Sequence, residues 1–168
     1  WICSPETVGN FSGTAYFFAR ALHEQLKVPV GIIHSSWGGT SIEAWTSWEA
    51  QQNDKRLLMV HQPWKDKPKA NQNKPGNLFN GMVNPHIPYG IRGAIWYQGE
   101  RNSRQISFAK AYSIQLPMMI NDWRRRWGQG DFPFLWAQLP NFKAVNPDPN
   151  APSVWAHTRE SMAKTLAL

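Results

Sequence analysis

A single cysteine, Cys3, is present among 168 residues. It cannot close an intrachain disulfide and has no CxxC partner with which to hold a metal, so the redox compartment stays open. No apolar run approaches the roughly 18 residues that a membrane-spanning helix requires. HExxH, an EF-hand loop, a paired histidine cluster, a P-loop and GxGxxG are all missing, which removes the common metal, phosphate and dinucleotide signatures and leaves no cofactor to expect. Charged residues make up only 17%, while hydrophobic residues reach 42%; this is a chain that folds around a core. The chain opens on Trp1 with no initiator methionine and reads as a mature product or a fragment.

What is abundant is tryptophan, with ten copies. Its flat apolar face and single donor suit sugar rings and interfaces, and equally suit filling a core. The net charge is +7. Much of it sits in Lys65 to Lys74 and in Arg124-Arg125-Arg126. Neither stretch carries a nucleic-acid module's pattern, and the three arginines end a helical segment, where cations complement the dipole. A solvated basic face is the better reading.

Trp1 to Asn10 reads as loop. Phe11 to Lys27 is helical, with Ala15, Phe18, Leu22 and Leu26 on one stripe and Ser12 or Thr14 as N-cap. Val28 to His34 is β-branched and continuously apolar, the pattern of a strand buried on both faces. A glycine turn follows at Ser35 to Thr40, then a short helix or loop through Trp45 and Trp48. Gln51 to Asn77 is polar and basic, a surface excursion with one short helix around Lys55 to His61. Leu78 to Tyr89 holds too much Gly and Pro for regular structure, yet its apolar residues should pack. Ala94 to Tyr97 is a second buried strand. Phe108 to Trp127 is a long helix that Pro117 should kink or break, closed by Gly128 and Gly130. Phe132 to Gln138 is a third strand, Pro140 to Pro152 a loop, and Val154 to Leu168 a last helix. Alternation of this kind predicts an α/β domain, a parallel sheet covered by helices on both faces. Three strands make a small sheet, and both ends of the chain look cut.

Two stretches could carry chemistry. His34-Ser35-Ser36-Trp37-Gly38-Gly39 places a serine between a strand and a helix, half of the G-x-S-x-G elbow, with His34 where the first glycine belongs. Ser36 as nucleophile would need a histidine and an acid; His61, His86 and His157 have no suggestive neighbourhood. Gly38 and Gly39 fit better as backbone that lets N–H groups approach a ligand, the construction of an oxyanion site. The second stretch is Gln98-Gly99-Glu100-Arg101-Asn102, polar groups leaving the C-terminal end of a strand, as sites in open α/β sheets do. The Gln98 amide can donate to a developing oxyanion. Glu100 could orient a histidine or bind a sugar hydroxyl, and Asn102 could bind a hydroxyl or a loop. Arg159-Glu160 on the last helix reads as a local ion pair.

Collinear strings resemble the sialate O-acetylesterase family of the SGNH-hydrolase superfamily. They are Phe11-Ser12 with Tyr16-Phe17-Phe18, Val28 to Ile33, Ser35 to Thr40, Glu43-Ala44-Trp45, Leu78 to Pro85, Gly93 to Glu100 with Asn102, Asp122-Trp123-Arg124, Pro133-Phe134, Gln138-Leu139, and Trp155-Ala156 with Arg159-Glu160. Trp96-Tyr97-Gln98-Gly99-Glu100-x-Asn102 is the most specific. The resemblance implies a three-layer α/β/α flavodoxin-like fold, incomplete at both ends here, and serine-dependent removal of O-acetyl groups from sugars without a metal. It implies an O-acetylated carbohydrate as substrate and fits a secreted or periplasmic setting, while the basic stretches read above give no nucleic-acid partner. It also implies that a Gly38-Gly39 backbone N–H, taken as that of Gly39, and the Gln98 side chain are the oxyanion donors, with Gly38, Glu100 and Asn102 in support. The family's Gly-x-Ser-Asn and Asp-x-x-His motifs do not occur, so the nucleophile and its partners are expected outside this chain. Competing readings are a non-catalytic carbohydrate-binding module and an α/β-hydrolase built on Ser36.

Overall fold

The computed structural model describes residues 2–65, 71–142, 144, 146–148 and 150–167. Part of the basic stretch from Lys65 to Lys74 and part of the loop from Pro140 to Pro152 thus lie outside the described residues, as does Leu168 at the end of the last predicted helix. The chain divides into two compact units, Trp1–Ser36 and Trp37–Leu168.

In the first unit the predicted loop contains a helical turn, α1 (Pro5–Val8), started by Pro5 at its first position. Helix α2 (Gly13–Leu26) begins as expected on Ser12, whose hydroxyl accepts from the Ala15 N–H at 3.3 Å. It ends on Lys27 in the left-handed region. Its stripe is not covered: Phe18, Leu22 and Leu26 are exposed and only Ala19 is buried. Val28 to His34, expected as a strand, has no ladder partner among the described residues, and Val28, Ile32 and Ile33 are exposed. A run of β-branched residues supplies propensity, but a strand exists only through bonds to a neighbour.

The second unit is built around α6 (Ile106–Trp127), preceded in the chain by α3 (Ile42–Trp45), α4 (Trp48–Gln51) and α5 (Leu58–His61) and followed by α7 (Val154–Lys164). Helix α6 runs unbroken through Pro117 and closes on Gly128, whose N–H returns to the Arg124 carbonyl. Among the described residues two strands rather than three form the sheet: β1 (Ala94–Trp96) and β2 (Phe134–Trp136) pair in parallel, Ile95 opposite Leu135. Only one face is buried. Ala94, Trp96, Phe134 and Trp136 point into the core, while Ile95 is 41% and Leu135 54% exposed.

The core explains most of the tryptophan. Trp45, Trp96, Trp123 and Trp127 meet one another or Phe134 at ring separations of 5.7–6.2 Å, between α3, β1 and α6. Among the described tryptophans only Trp37 and Trp48 are exposed. The predicted surface excursion is partly internal: Leu57 and Val60 pack on Ala111, and Asn73 is buried. The glycine- and proline-rich stretch after it is helical after all, with a π turn over Phe79–Val83 and a 3-10 turn over Asn84–His86. Leu78, Phe79 and Val83 are buried, so burial overrides weak local propensity.

The three arginines close this unit, with Arg125 exposed and Arg124 and Arg126 half-buried. The buried Asp122 carboxylate accepts from Arg125, Arg126 and the Ser47 N–H at 2.9, 2.9 and 3.0 Å. Arg124 donates to the Phe132 carbonyl. On α7, Glu160 pairs with Lys164 at 2.7 Å, not with its neighbour Arg159.

Candidate active site

Strand β1 delivers Gln98 two residues past its end. Gly99 then turns the chain at φ +148, a conformation L side chains rarely adopt. A Cβ there would lie 3.0 Å from Met162 Cε and 3.1 Å from Leu139 Cδ1. The turn is pinned by Ser103, whose N–H and hydroxyl both donate to the Gly99 carbonyl, at 2.9 and 2.8 Å. The second wall is the Trp37–Thr40 turn. Gly39 sits at φ +70, and Gly38 and Gly39 are exposed with open space where a Cβ would be. The Thr40 hydroxyl donates to the Trp37 carbonyl at 2.7 Å and accepts from the Trp45 indole at 3.0 Å, which holds the turn on α3.

The two walls meet through Gln98. Its amide nitrogen donates to the Thr40 carbonyl and to Asn102 Oδ1, each at 2.8 Å. Its Oε1 accepts from the Tyr112 hydroxyl at 2.9 Å. Both N–H groups of Gln98 are therefore engaged, and the side chain is only 8% exposed. Asn102, 2% exposed, also accepts from the Ile42 N–H at 3.1 Å and donates to Glu43 Oε2 at 3.1 Å. Gly38, Gly39, Gln98 and Asn102 are thus brought to one place. Glu100 is not: its side chain is exposed.

Glu43, Tyr112 and Thr40 form the shell behind Gln98, and sequence reasoning assigned none of them a role. Glu43 stood only within a matching string and Tyr112 only within the helix predicted over Phe108 to Trp127. Burial pushes the Glu43 carboxyl up, while its own main-chain N–H, Asn102, Ser41 and Gln115 pull it down. Burial also raises the Tyr112 hydroxyl above the usual phenol range, so it stays a neutral donor at neutral pH. Among the described residues no group of histidine, cysteine, aspartate and glutamate side chains is arranged to hold a metal ion. No helix among them is long and apolar enough to cross a membrane.

In the first unit the Ser36 hydroxyl lies 2.6 Å from His34 Nε2. The pair arises because residues two apart on an extended segment share a side. The His34 ring also packs edge-on to Phe11 at 5.5 Å.

The sequence profile of the family described as carbohydrate esterase, sialic acid-specific acetylesterase matches residues 6–166. The chain belongs to the sialic acid-specific acetylesterase family. It is similar to the sialate O-acetylesterase of Homo sapiens, 33% identical over 135 residues that cover 76% of this chain and 25% of that protein. The sialate O-acetylesterase of Mus musculus is 31% identical, with 82% and 31% covered. Among solved structures, a carbohydrate acetylesterase from Xanthomonas citri superposes with a TM-score of 0.81 at 39% identity, covering 98% of this chain and 34% of that one. The fold is accordingly the α/β fold of these acetylesterases. The chain spans about a quarter to a third of the length of the relatives it matches.

Proposed function

We propose that this acetylesterase-family chain carries the oxyanion-holding half of an active site that removes O-acetyl groups from sugars such as sialic acid by serine-dependent hydrolysis. In that reaction a serine oxygen attacks the acetyl carbonyl carbon, and the carbonyl π electrons move onto oxygen. A histidine, oriented by an aspartate, takes the serine proton. Gln98 Nε2 and the Gly39 main-chain N–H receive the negative oxygen. Collapse releases the sugar hydroxyl, and water then frees acetate. No Gly-x-Ser-Asn or Asp-x-x-His motif occurs among these 168 residues, so the attacking groups are assigned to none of them.

The observation that carries the reading is the tie between Gln98 and Thr40, which brings the strand-end amide and the glycine turn to one place. The engaged amide is compatible with it. A substrate carbonyl in its ground state is no better an acceptor than the Thr40 carbonyl, so exchanging one for the other gains nothing. An oxyanion accepts a bond roughly twice as strong, so the exchange becomes favourable only as charge develops. Binding gained in the transition state and not before is what raises kcat.

The isolated 168-residue chain should turn over p-nitrophenyl acetate no faster than its Gln98→Ala variant. A second reading is favoured by the short contact between Ser36 and His34, which supplies a nucleophile and a base without an acid. A product burst from the isolated chain that Ser36→Ala abolishes would overturn the first reading and install this one. The carbohydrate-binding-module alternative lacks its expected support, because most of the described tryptophans are in or against the core and only Trp37 and Trp48 are exposed.

A further inference from the structure

The groups behind Gln98 form a line with a direction. The Trp96 indole N–H donates to the Tyr112 oxygen at 3.1 Å. The Tyr112 O–H donates to Gln98 Oε1 at 2.9 Å, and Gln98 Nε2 to Asn102 Oδ1 at 2.8 Å. Asn102 Nδ2 donates to Glu43 Oε2 at 3.1 Å. Indole can only donate, and Glu43 Oε2 at the other end accepts from two side-chain amides, those of Asn102 and Gln115. The Tyr112 O–H also reaches the Gln98 main-chain carbonyl at 3.2 Å, and the sense of the Gln98 amide is set by the Thr40 carbonyl, which can only accept. The Ile42 N–H, a donor aimed at Asn102 Oδ1, enforces the same sense at the middle.

The far end is costly. Glu43 is 6% exposed and has no cation among its hydrogen-bond partners. Gln115 also turns its amide nitrogen to Glu43 Oε2, at 3.2 Å, and leaves its own buried Oε1 with no partner among the described residues. An apolar residue in this position would remove both the buried carboxyl and the need for that arrangement. A buried carboxyl whose only neighbours are neutral donors is more than packing requires.

We propose that Glu43 is a positioning residue for Gln98: as the acceptor at the end of this line it steadies the Asn102 amide, and through it keeps the Gln98 NH2 aligned with the Gly38–Gly39–Thr40 turn. The proposal rests on Gln98 being an oxyanion donor. Without Glu43, Asn102 Nδ2 loses its acceptor and the amide is held only through Oδ1, by the Ile42 N–H and Gln98. A loosened Asn102 is a poorer anchor, and the Gln98 NH2 spends less time aligned on the oxyanion. Glu43 touches no reacting atom; its influence on the reaction is carried wholly by the Gln98 amide.

A double-mutant cycle in the intact protein tests this, read as kcat and KM on an O-acetylated sialic acid. Glu43→Leu should lower kcat by about 30- to 100-fold with KM within about twofold, the scale on which small losses of alignment act. Glu43→Gln keeps an acceptor at the same place and should lose only about fivefold. The pair Glu43→Leu/Gln98→Ala should be no slower than Gln98→Ala alone. If the two losses multiply, or if Glu43→Leu leaves kcat intact while Gln98→Ala is slow, the positioning role is wrong and the oxyanion reading stands. If Gln98→Ala is itself as fast as wild type, the oxyanion reading fails and takes this proposal with it. Should Glu43→Leu not fold, Asn102→Asp reads the same contact. It faces one carboxylate with another and should be slow, and adding Glu43→Gln, whose NH2 can donate to Asp, should recover at least about tenfold. No recovery would equally overturn the role assigned to Glu43.

Discussion

Replacing Gln98 by alanine in the intact protein should lower kcat on acetylated sugars by about 10²- to 10³-fold while KM changes by less than about threefold. The split follows from the geometry. In the ground state the amide is satisfied by the Thr40 carbonyl and Asn102, so a bound substrate gains little from it. Its contribution appears only when the acetyl oxygen becomes charged. Gln98→Glu should be at least as slow as the alanine variant, because a carboxylate offers no donor and repels the oxyanion. A rise in KM with kcat unchanged, measured by initial rates over a range of substrate, would instead mark Gln98 as a plain binding residue.

The second large effect is on folding. Gly99→Ala should lower the unfolding free energy by about 3 kcal/mol, combining a left-handed backbone position with a crowded one. The new methyl must displace Met162 and Leu139, both buried, and neither can swing into solvent. On a domain of this size the shift in Tm is roughly 10 °C, readable by calorimetry. Because Gly99 sets the turn between Gln98 and Asn102, the variant should also lose activity below its melting transition. Gly128→Ala, at φ +65 but with open space around its Cβ, should cost only about 1 kcal/mol. Equal losses at the two positions would show that backbone strain alone, without the crowding, accounts for Gly99.

Local patterns in the sequence expose local structure well. The Ser12 cap, the span of α6 closed by Gly128, and the strand before Gln98 each depend on residues within a turn or two. The same logic over-reads Val28 to His34, because a strand is a relation between segments and its partner is not written in its own residues. It also takes Ala94 to Tyr97 for a buried strand, although Ile95 and Tyr97 are exposed. At the site, the Gly38-Gly39 backbone and Gln98 were visible as groups suited to an oxyanion, and Asn102 as a supporting one. Glu100, read from the sequence as a second supporting group, is exposed. What could not be read was the shell. Thr40 reaches Gln98 across 58 positions, Glu43 reaches Asn102 across 59, and Gln115 reaches Glu43 across 72. A buried glutamate in a four-residue helix looks like any first-turn acidic residue until the fold closes over it.

The most direct measurement is a crystal structure of the intact protein with its nucleophile trapped as a phosphonate adduct, whose anionic oxygen stands where the acetyl oxyanion forms. Gln98 Nε2 should lie about 2.7–3.1 Å from that oxygen, with its bond to the Thr40 carbonyl given up or shared and its bond to Asn102 kept. An adduct in which Gln98 still donates only to Thr40 and Asn102, with the phosphonyl oxygen held by other groups, would contradict the account.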